Sequence, residues 1–284
     1  MPMEILVCVK RVPMVGGKIV VTADGQDVDT RMSGFTVSPH EECAVEEAVR
    51  LVERFGGRVT VLTLGPPAAA DQLRDMLALG ASRAVLLETE TDGREWGPIA
   101  TAAAIVDFVR GAAAPAPAAS AESAVSAAPP ASAQSSAAAR PYDLLLFGNE
   151  AADTGDYQVA VRVAHALGLP CATGIKNLEV ADDGASARAR REYRGTEEVF
   201  DLPLPAVISV KEGINLPRYP SLPGRLRAKR ATIEQHEPPW HPEGLRKERL
   251  RVPAGESKRA EILGNGPDAV PALVALLEEF GVLS

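Results

Sequence analysis

Gly148, Asn149, Glu150, Ala151, Ala152, Asp153, Thr154, Gly155 and Asp156 follow directly on an apolar run, 142–147, and feed a helical pattern that starts near Tyr157. Small polar residues in such a place leave backbone N–H groups exposed. The N-terminus of the next helix adds a partial positive charge, and both attract an anion, phosphate above all. The stretch has the make-up of a nucleotide-binding loop, and an ordinary turn rich in Gly, Asn and Asp shares that composition. A second wall is offered by the first apolar run, 4–9, which carries Cys8, and by Ser38, Pro39, His40 and Glu41. Ser-x-x-Glu with proline at the first helical position is a capping box, so these four residues predict a helix start. The chain has no G-x-S-x-G elbow, no Walker phosphate loop, no H-E-x-x-H, and no G-x-G-x-x-G after its first apolar run. Cys8, Cys43 and Cys171 are too widely spaced for zinc or thiol-redox motifs and read as buried, inert thiols in a reducing compartment. His236 and His241 sit in a proline-rich stretch, and no metal site is expected. Glu46 and Glu47, with basic neighbours on a helix, read as a solvated face.

Alternating strands and helices must position these residues. Continuous apolar runs at 4–9, 58–64, 83–87, 142–147 and 206–210 predict strands buried on both faces. Between them, helical stripes are expected over 39–55, up to Gly80, over 97–110 and over 157–167. This order predicts an α/β fold: an open, mostly parallel twisted sheet with helices on both faces, Rossmann-like and suited to an adenine nucleotide. In such sheets ligands bind beyond the carboxyl ends of the strands. Stretches 176–180 and 187–193, joined by Asp182-Asp183-Gly184, predict an antiparallel pair. Residues 111–140 are almost wholly Ala, Pro and Ser, as expected of a disordered insertion in a nucleotide-binding domain spanning 1–217. From 218 the chain is polar and weakly periodic until a final amphipathic helix over 268–279, so 218–284 reads as an arm that would bury more against another subunit than against its own domain.

The formal net charge of −8 argues against nucleic acid as a partner. No apolar run is long enough for a membrane helix and the start has no secretory pattern, so a cytoplasmic protein is expected, with at most peripheral membrane contact through a partner.

Ordered segments carry a family resemblance. They are Leu6-Val7-Cys8-Val9-Lys10-Arg11-Val12, Ser38-Pro39 with Ala44-Val45-Glu46-Glu47-Ala48-Val49-Arg50-Leu51, Leu64-Gly65-Pro66, and Leu77-Ala78-Leu79-Gly80-Ala81. Then come Gly148-Asn149-Glu150 with Asp153, Leu204-Pro205-Ala206-Val207, and a run from Ile214-Asn215-Leu216-Pro217-Arg218-Tyr219 through Pro223, with Ala228-Lys229. Along nearly its whole length the sequence resembles the beta subunit of electron transfer flavoproteins. The resemblance implies an electron carrier without substrate turnover of its own, paired with a larger alpha subunit that holds most of the FAD. It implies electrons received from flavin dehydrogenases and passed to an acceptor such as a quinone oxidoreductase. The beta subunit would form part of the FAD site and bind AMP, or a second FAD, through Cys8, Ser38, Pro39, His40, Glu41, Leu64 and the loop Gly148, Asn149, Glu150, Ala151, Asp153, Thr154, Gly155, Asp156, Tyr157, Gln158 and Val159. AMP-binding members tend to carry Asn-Gln-Thr where this chain has Tyr157-Gln158-Val159, and some electron-bifurcating relatives with a second FAD have Gln-Val. Val15 is the nearest match to an aromatic that some members place near the flavin. Partner recognition would fall on Ile214, Asn215, Leu216, Pro217, Arg218 and Tyr219, with an outward-pointing Ile214 as the anchor. A stand-alone adenine-nucleotide protein of universal-stress type shares the general fold but carries a glycine-spaced triphosphate loop not found here. An NAD dehydrogenase would want a Gly-rich turn where Lys10-Arg11-Val12-Pro13 stand.

Overall fold

A computed structural model describes residues 1–14, 19–89, 96–113, 141–242, 244, 247–252 and 262–283. β1 (Met3–Cys8) opens the chain, and short β2 (Val12–Pro13) and β3 (Phe35–Thr36) lead to α1 (Pro39–Phe55). Next come β4 (Gly57–Gly65), α2 (Ala70–Leu79), β5 (Arg83–Glu88), α3 (Pro98–Ala113), β6 (Leu144–Gly148) and α4 (Val159–Leu167). They are followed by β7 (Cys171–Ile175), β8 (Asn177–Val180), β9 (Ser186–Tyr193), β10 (Thr196–Pro203) and β11 (Ala206–Val210). The last elements are α5 (Leu222–Arg230), β12 (Glu234–His236) and α6 (Val270–Glu279).

Seven strands form one parallel sheet in the order β12-β5-β4-β1-β6-β11-β7. Its central strands are covered on both faces, which is why they are continuously apolar: Ile5, Leu6 and Val7 of β1 are fully buried. Residues of α1 and α2 pack into the core on one face, and residues of α3 and α4 into a second core on the other. From β1 the chain steps to β4 and β5 on one side, then returns to β6 and β11 on the other. The strand order therefore reverses at β1, and a crevice opens between the carboxyl ends of β1, β4 and β6. The fold is the open α/β, Rossmann-like sheet that the alternation of elements predicts.

Three differences from the sequence reading have physical causes. The expected antiparallel pair is a three-stranded sheet, because β10 joins β9 over eight registered pairs. β10 is mostly exposed, so no apolar pattern announces it. β7 is a short edge strand of the large sheet with a similarly weak pattern. The third difference lies after 217, where an arm was expected to leave the domain. Instead α5 packs on α2, with Gly224 so close that a Cβ there would lie 2.9 Å from the Ala78 carbonyl oxygen. β12 then adds to the sheet beside β5, tied by a bidentate pair between Arg83 and Glu234.

The chain divides into Met1–Ile19 with Asp29–Arg246, and Val20–Val28 with Lys247–Ser284. Within the smaller unit Val21 bridges Val28, the Leu250 amide donates to the Gly25 carbonyl at 2.7 Å, and α6 has no buried residue. α3 runs to Ala113, and 114–140, the bulk of the expected insertion, lie outside the described residues, as does Val15. Among the described residues no helix is long and apolar enough to cross a membrane.

Candidate functional site

Where β1, β4 and β6 end side by side, a cleft of about 380 Å³ opens at the reversal of strand order. Its floor and walls include Cys8, Glu41, Leu64, Gly148, Asn149, Glu150, Ala151, Asp156, Tyr157 and Val159, all singled out in the sequence. Ser38, the N-cap of α1, and Pro39 and His40 on its first turn are not part of this lining. Asp153, Thr154, Gly155 and Gln158 are exposed and lie outside the lining.

Glu41 organises the floor. Its Oε2 accepts from the Ser38 amide at 3.1 Å and the Ser38 hydroxyl at 3.0 Å, and its Oε1 accepts from the Lys10 amide at 2.9 Å. One carboxylate thus completes the cap of α1 and fastens the chain leaving β1. β6 is held to the same turn by close approach: a Cβ on Gly148 would lie 2.7 Å from Glu41 Cγ and 3.3 Å from His40 Cβ. Burial pushes the Glu41 carboxyl up to about 7 although these hydrogen bonds favour its charged form. Cys8 lies at the end of β1, and burial, with Glu41 nearby, drives its thiol far up, so it remains a protonated, unreactive thiol.

Two cations meet at the cleft. Lys10 Nζ pairs with Asp153 Oδ1 at 2.6 Å and so joins the exit of β1 to the loop after β6. The Arg11 guanidinium lies 3.3 Å over the centre of the Phe35 ring, and its Nε is buried with no hydrogen-bond partner among the described residues. The loop itself is tied inward. Its Asn149 amide donates to the Val210 carbonyl at 2.9 Å, Ala151 to that of Asp156 at 2.9 Å and Gly155 to that of Ala151 at 2.7 Å. The Gln158 amide donates to Asp156 Oδ1 at 2.8 Å, while the Gln158 side chain accepts from Arg162. α4 starts without a side-chain cap at Gln158, and Val159 at its first turn lines the cleft. Apolar walls meeting a few cations and a bare helix start suit a ligand that is part aromatic and part anionic. Arg11 and Trp96 were not predicted as cleft residues. A pair of cations directly after β1, Lys10-Arg11, was a readable signal for the first, whereas Trp96 reaches the cleft from the entry to α3.

The other predicted residues gather in the loop after β11, which is fastened to α1 along its length. The Glu212 amide donates to His40 Nδ1 at 2.8 Å, and Asn215 Nδ2 donates to the Cys43 carbonyl at 3.0 Å and to Glu47 Oε2 at 2.9 Å. Arg218 donates from Nε to Glu46 Oε2 at 2.9 Å and from Nη1 to Glu53 Oε1 at 2.6 Å. The expected solvated face is therefore corrected: the Glu46 side chain is 3% exposed because Arg218 and Arg50 cover it, and Glu47 is half-buried under Asn215. Ile214 is corrected too. It is partly buried and packs against the main core, while Leu216 (84% exposed) and Tyr219 (95%) are the outward apolar groups. Pro217 is half-buried between them. Among the described residues no cluster of three or more metal-ligating side chains is present.

Residues 28–116 and 116–240 match the model of the electron transfer flavoprotein domain. The chain is 33% identical to a Bacillus subtilis protein named electron transfer flavoprotein subunit beta, over 83% of this chain and 79% of that one. It is 32% identical to a protein of the same name from Syntrophomonas wolfei, over 82% and 79%. A third of that name, from Thermoanaerobacterium thermosaccharolyticum, is 26% identical over 99% of this chain and its own full length. With a cleft at the strand reversal, a loop braced on α1, and likeness along this much of the sequence, the chain belongs to the electron transfer flavoprotein family, among its beta subunits.

Proposed function

We infer that this chain works with a larger alpha subunit as an electron carrier that turns over no substrate of its own. The alpha subunit holds most of an FAD, to whose site this chain contributes a wall. Electrons arrive from flavin dehydrogenases and leave to an acceptor such as a quinone oxidoreductase, in the cytoplasm. The loop after β11 is the docking element, and the exposed apolar face of α6, with Val270, Leu273 and Val274, is offered to the alpha subunit. The cleft holds AMP as a structural ligand.

The cleft carries this reading. Its volume and apolar walls suit one mononucleotide. Lys10, the unpartnered Arg11 Nε and the uncapped start of α4 supply donors for a phosphate. A second FAD in place of AMP is the competing reading, favoured by Gln158-Val159. Denaturing the purified two-subunit protein and counting the released nucleotides decides between them. One AMP per FAD is expected; two FAD and no AMP would overturn the AMP assignment and point to electron bifurcation.

A further inference from the structure

His40 touches both functional elements of this chain and lines neither. Its Nδ1 accepts the Glu212 amide at 2.8 Å, at the start of the loop after β11. A nitrogen that accepts carries no proton, so the ring proton sits on Nε2. That Nε2 faces Glu150 Oε1 at 3.7 Å, too far for a hydrogen bond and too near to be independent of it. Glu150 lines the cleft in the loop after β6, as does the exposed Tyr157. On the other side His40 is rigid: it sits on the first turn of α1, which the capping box and the close approach to Gly148 hold in place.

We propose that His40 is a positioning residue that couples occupancy of the cleft to the order of the docking loop. The inference rests on the reading of the cleft as a nucleotide site. A phosphate entering beside Glu150 repels its carboxylate toward His40 Nε2–H, 3.7 Å away. A movement of about 0.8 Å closes the 3.7 Å gap to a hydrogen bond. That bond fixes the ring and pushes electron density toward Nδ1, which strengthens its hold on the Glu212 amide. The amide opens the segment that Asn215 and Arg218 tie to α1 further on, so a firmer first tether orders the whole loop. By linkage, a partner bound to the loop holds the nucleotide more tightly by the same factor.

The test is backbone hydrogen exchange on the two-subunit protein with and without added AMP, following the peptides that cover 148–159 and 211–217. In the wild-type protein AMP should slow exchange in both, by about fivefold or more at the Glu212 amide. In His40→Phe, which keeps a ring but neither nitrogen, AMP should still protect 148–159 while 211–217 no longer responds. A merely structural role would raise exchange in 211–217 by the same factor with and without AMP and leave the response intact. If His40→Phe fails to fold, Glu150→Leu, which leaves no acceptor opposite His40 Nε2, severs the same link from the cleft side and should blunt the response of 211–217. Protection of 148–159 without any response at 211–217 in the wild type, or an undiminished response in the variants, overturns the coupling and leaves the nucleotide site standing. No protection in either segment overturns both.

Discussion

Replacing Arg218 by methionine should loosen the loop after β11 and destabilise the domain by about 2–3 kcal/mol. Methionine keeps much of the arginine's length and apolar stem, so the loss is electrostatic. Glu46 is 3% exposed and receives Arg218 through the backbone amide at 3.1 Å, Nε at 2.9 Å and Nη2 at 3.1 Å. Stripping one partner from a buried pair costs about 3–5 kcal/mol, because the remaining charge stays out of water. Two features reduce that figure here. The Arg218 side chain is itself 35% exposed, and Arg50 Nε still reaches Glu46 Oε1 at 2.8 Å. The branch to Glu53 adds little, since that carboxylate is 56% exposed and exposed pairs contribute about 0.2–1 kcal/mol. Urea denaturation of wild type, Arg218→Met, Glu46→Gln and the double variant forms the assay. A midpoint lowered by roughly 5–10 °C in a parallel thermal scan is expected for Arg218→Met. The double variant should be less destabilised than the sum of the two singles by about 2 kcal/mol, because removing the charge cancels the penalty of stranding it. Additive losses, or an Arg218→Met change below about 0.5 kcal/mol, would refute the reasoning. The pH dependence supplies a second check. Burial alone would raise the Glu46 carboxyl, but hydrogen bonds from Arg218 and Arg50 outweigh it and hold the group below its ordinary 4.5. The stabilisation is therefore present above 4.5 and lost as pH falls through the lowered value, so the gap between wild type and variant should shrink under acid conditions.

Glu41 should behave with the opposite sign. Its carboxyl is raised from 4.5 to about 7, so its contribution is complete below 4.5 and is lost as pH rises through 7. Compared with Glu41→Gln, wild type should lose on the order of 2–3 kcal/mol of relative stability between pH 4.5 and 8, measured by urea denaturation; a difference that does not change with pH would show that the carboxyl titrates normally, and a relative gain by wild type would show that it is lowered. Leu216→Ala should slow electron transfer from a cognate dehydrogenase without changing flavin content or melting temperature, since the side chain is 84% exposed. Ile214→Ala, which removes a side chain packed on the core, should cost about 1–2 kcal/mol of stability; a silent melt would return Ile214 to the role of exposed anchor.

The parts of the fold that the sequence makes legible are those whose own residues determine them. Ile5, Leu6 and Val7 must be buried wherever they go, and Ser38 with Glu41 can cap α1 without help from afar. β7, β10 and β12 depend on their neighbours. Glu234, Gln235 and His236 carry no strand signal and become a strand because the edge of β5 is there to receive them. The site divides in the same way. Cys8, Glu41 and Gly148 are legible because strand ends and helix starts converge in any sheet of this order. The stacking of Arg11 on Phe35 depends on tertiary proximity, which no spacing encodes. The direction of a side chain in the loop after β11 is not periodic either. Ile214 turns inward and Leu216 outward because Asn215 is held down between them by Cys43 and Glu47.

The return of β12 to the sheet has a consequence in time rather than in space. Arg83 and Glu234, which clamp that edge, are 151 residues apart in the chain. A ribosome adding about 5–20 residues per second releases β5 roughly 7–30 s before its last neighbour exists. Throughout that interval the outer edge of β5 presents unpaired N–H and C=O groups, with Leu86 and Leu87 beside them, to any other strand in the cell. When Glu234, Gln235 and His236 finally arrive, they close the edge with a three-residue strand too short and too polar to template another. A nascent chain that stalls before 234 is thus a more adhesive object than the finished protein, and chaperone occupancy during synthesis should peak between the emergence of β5 and that of β12.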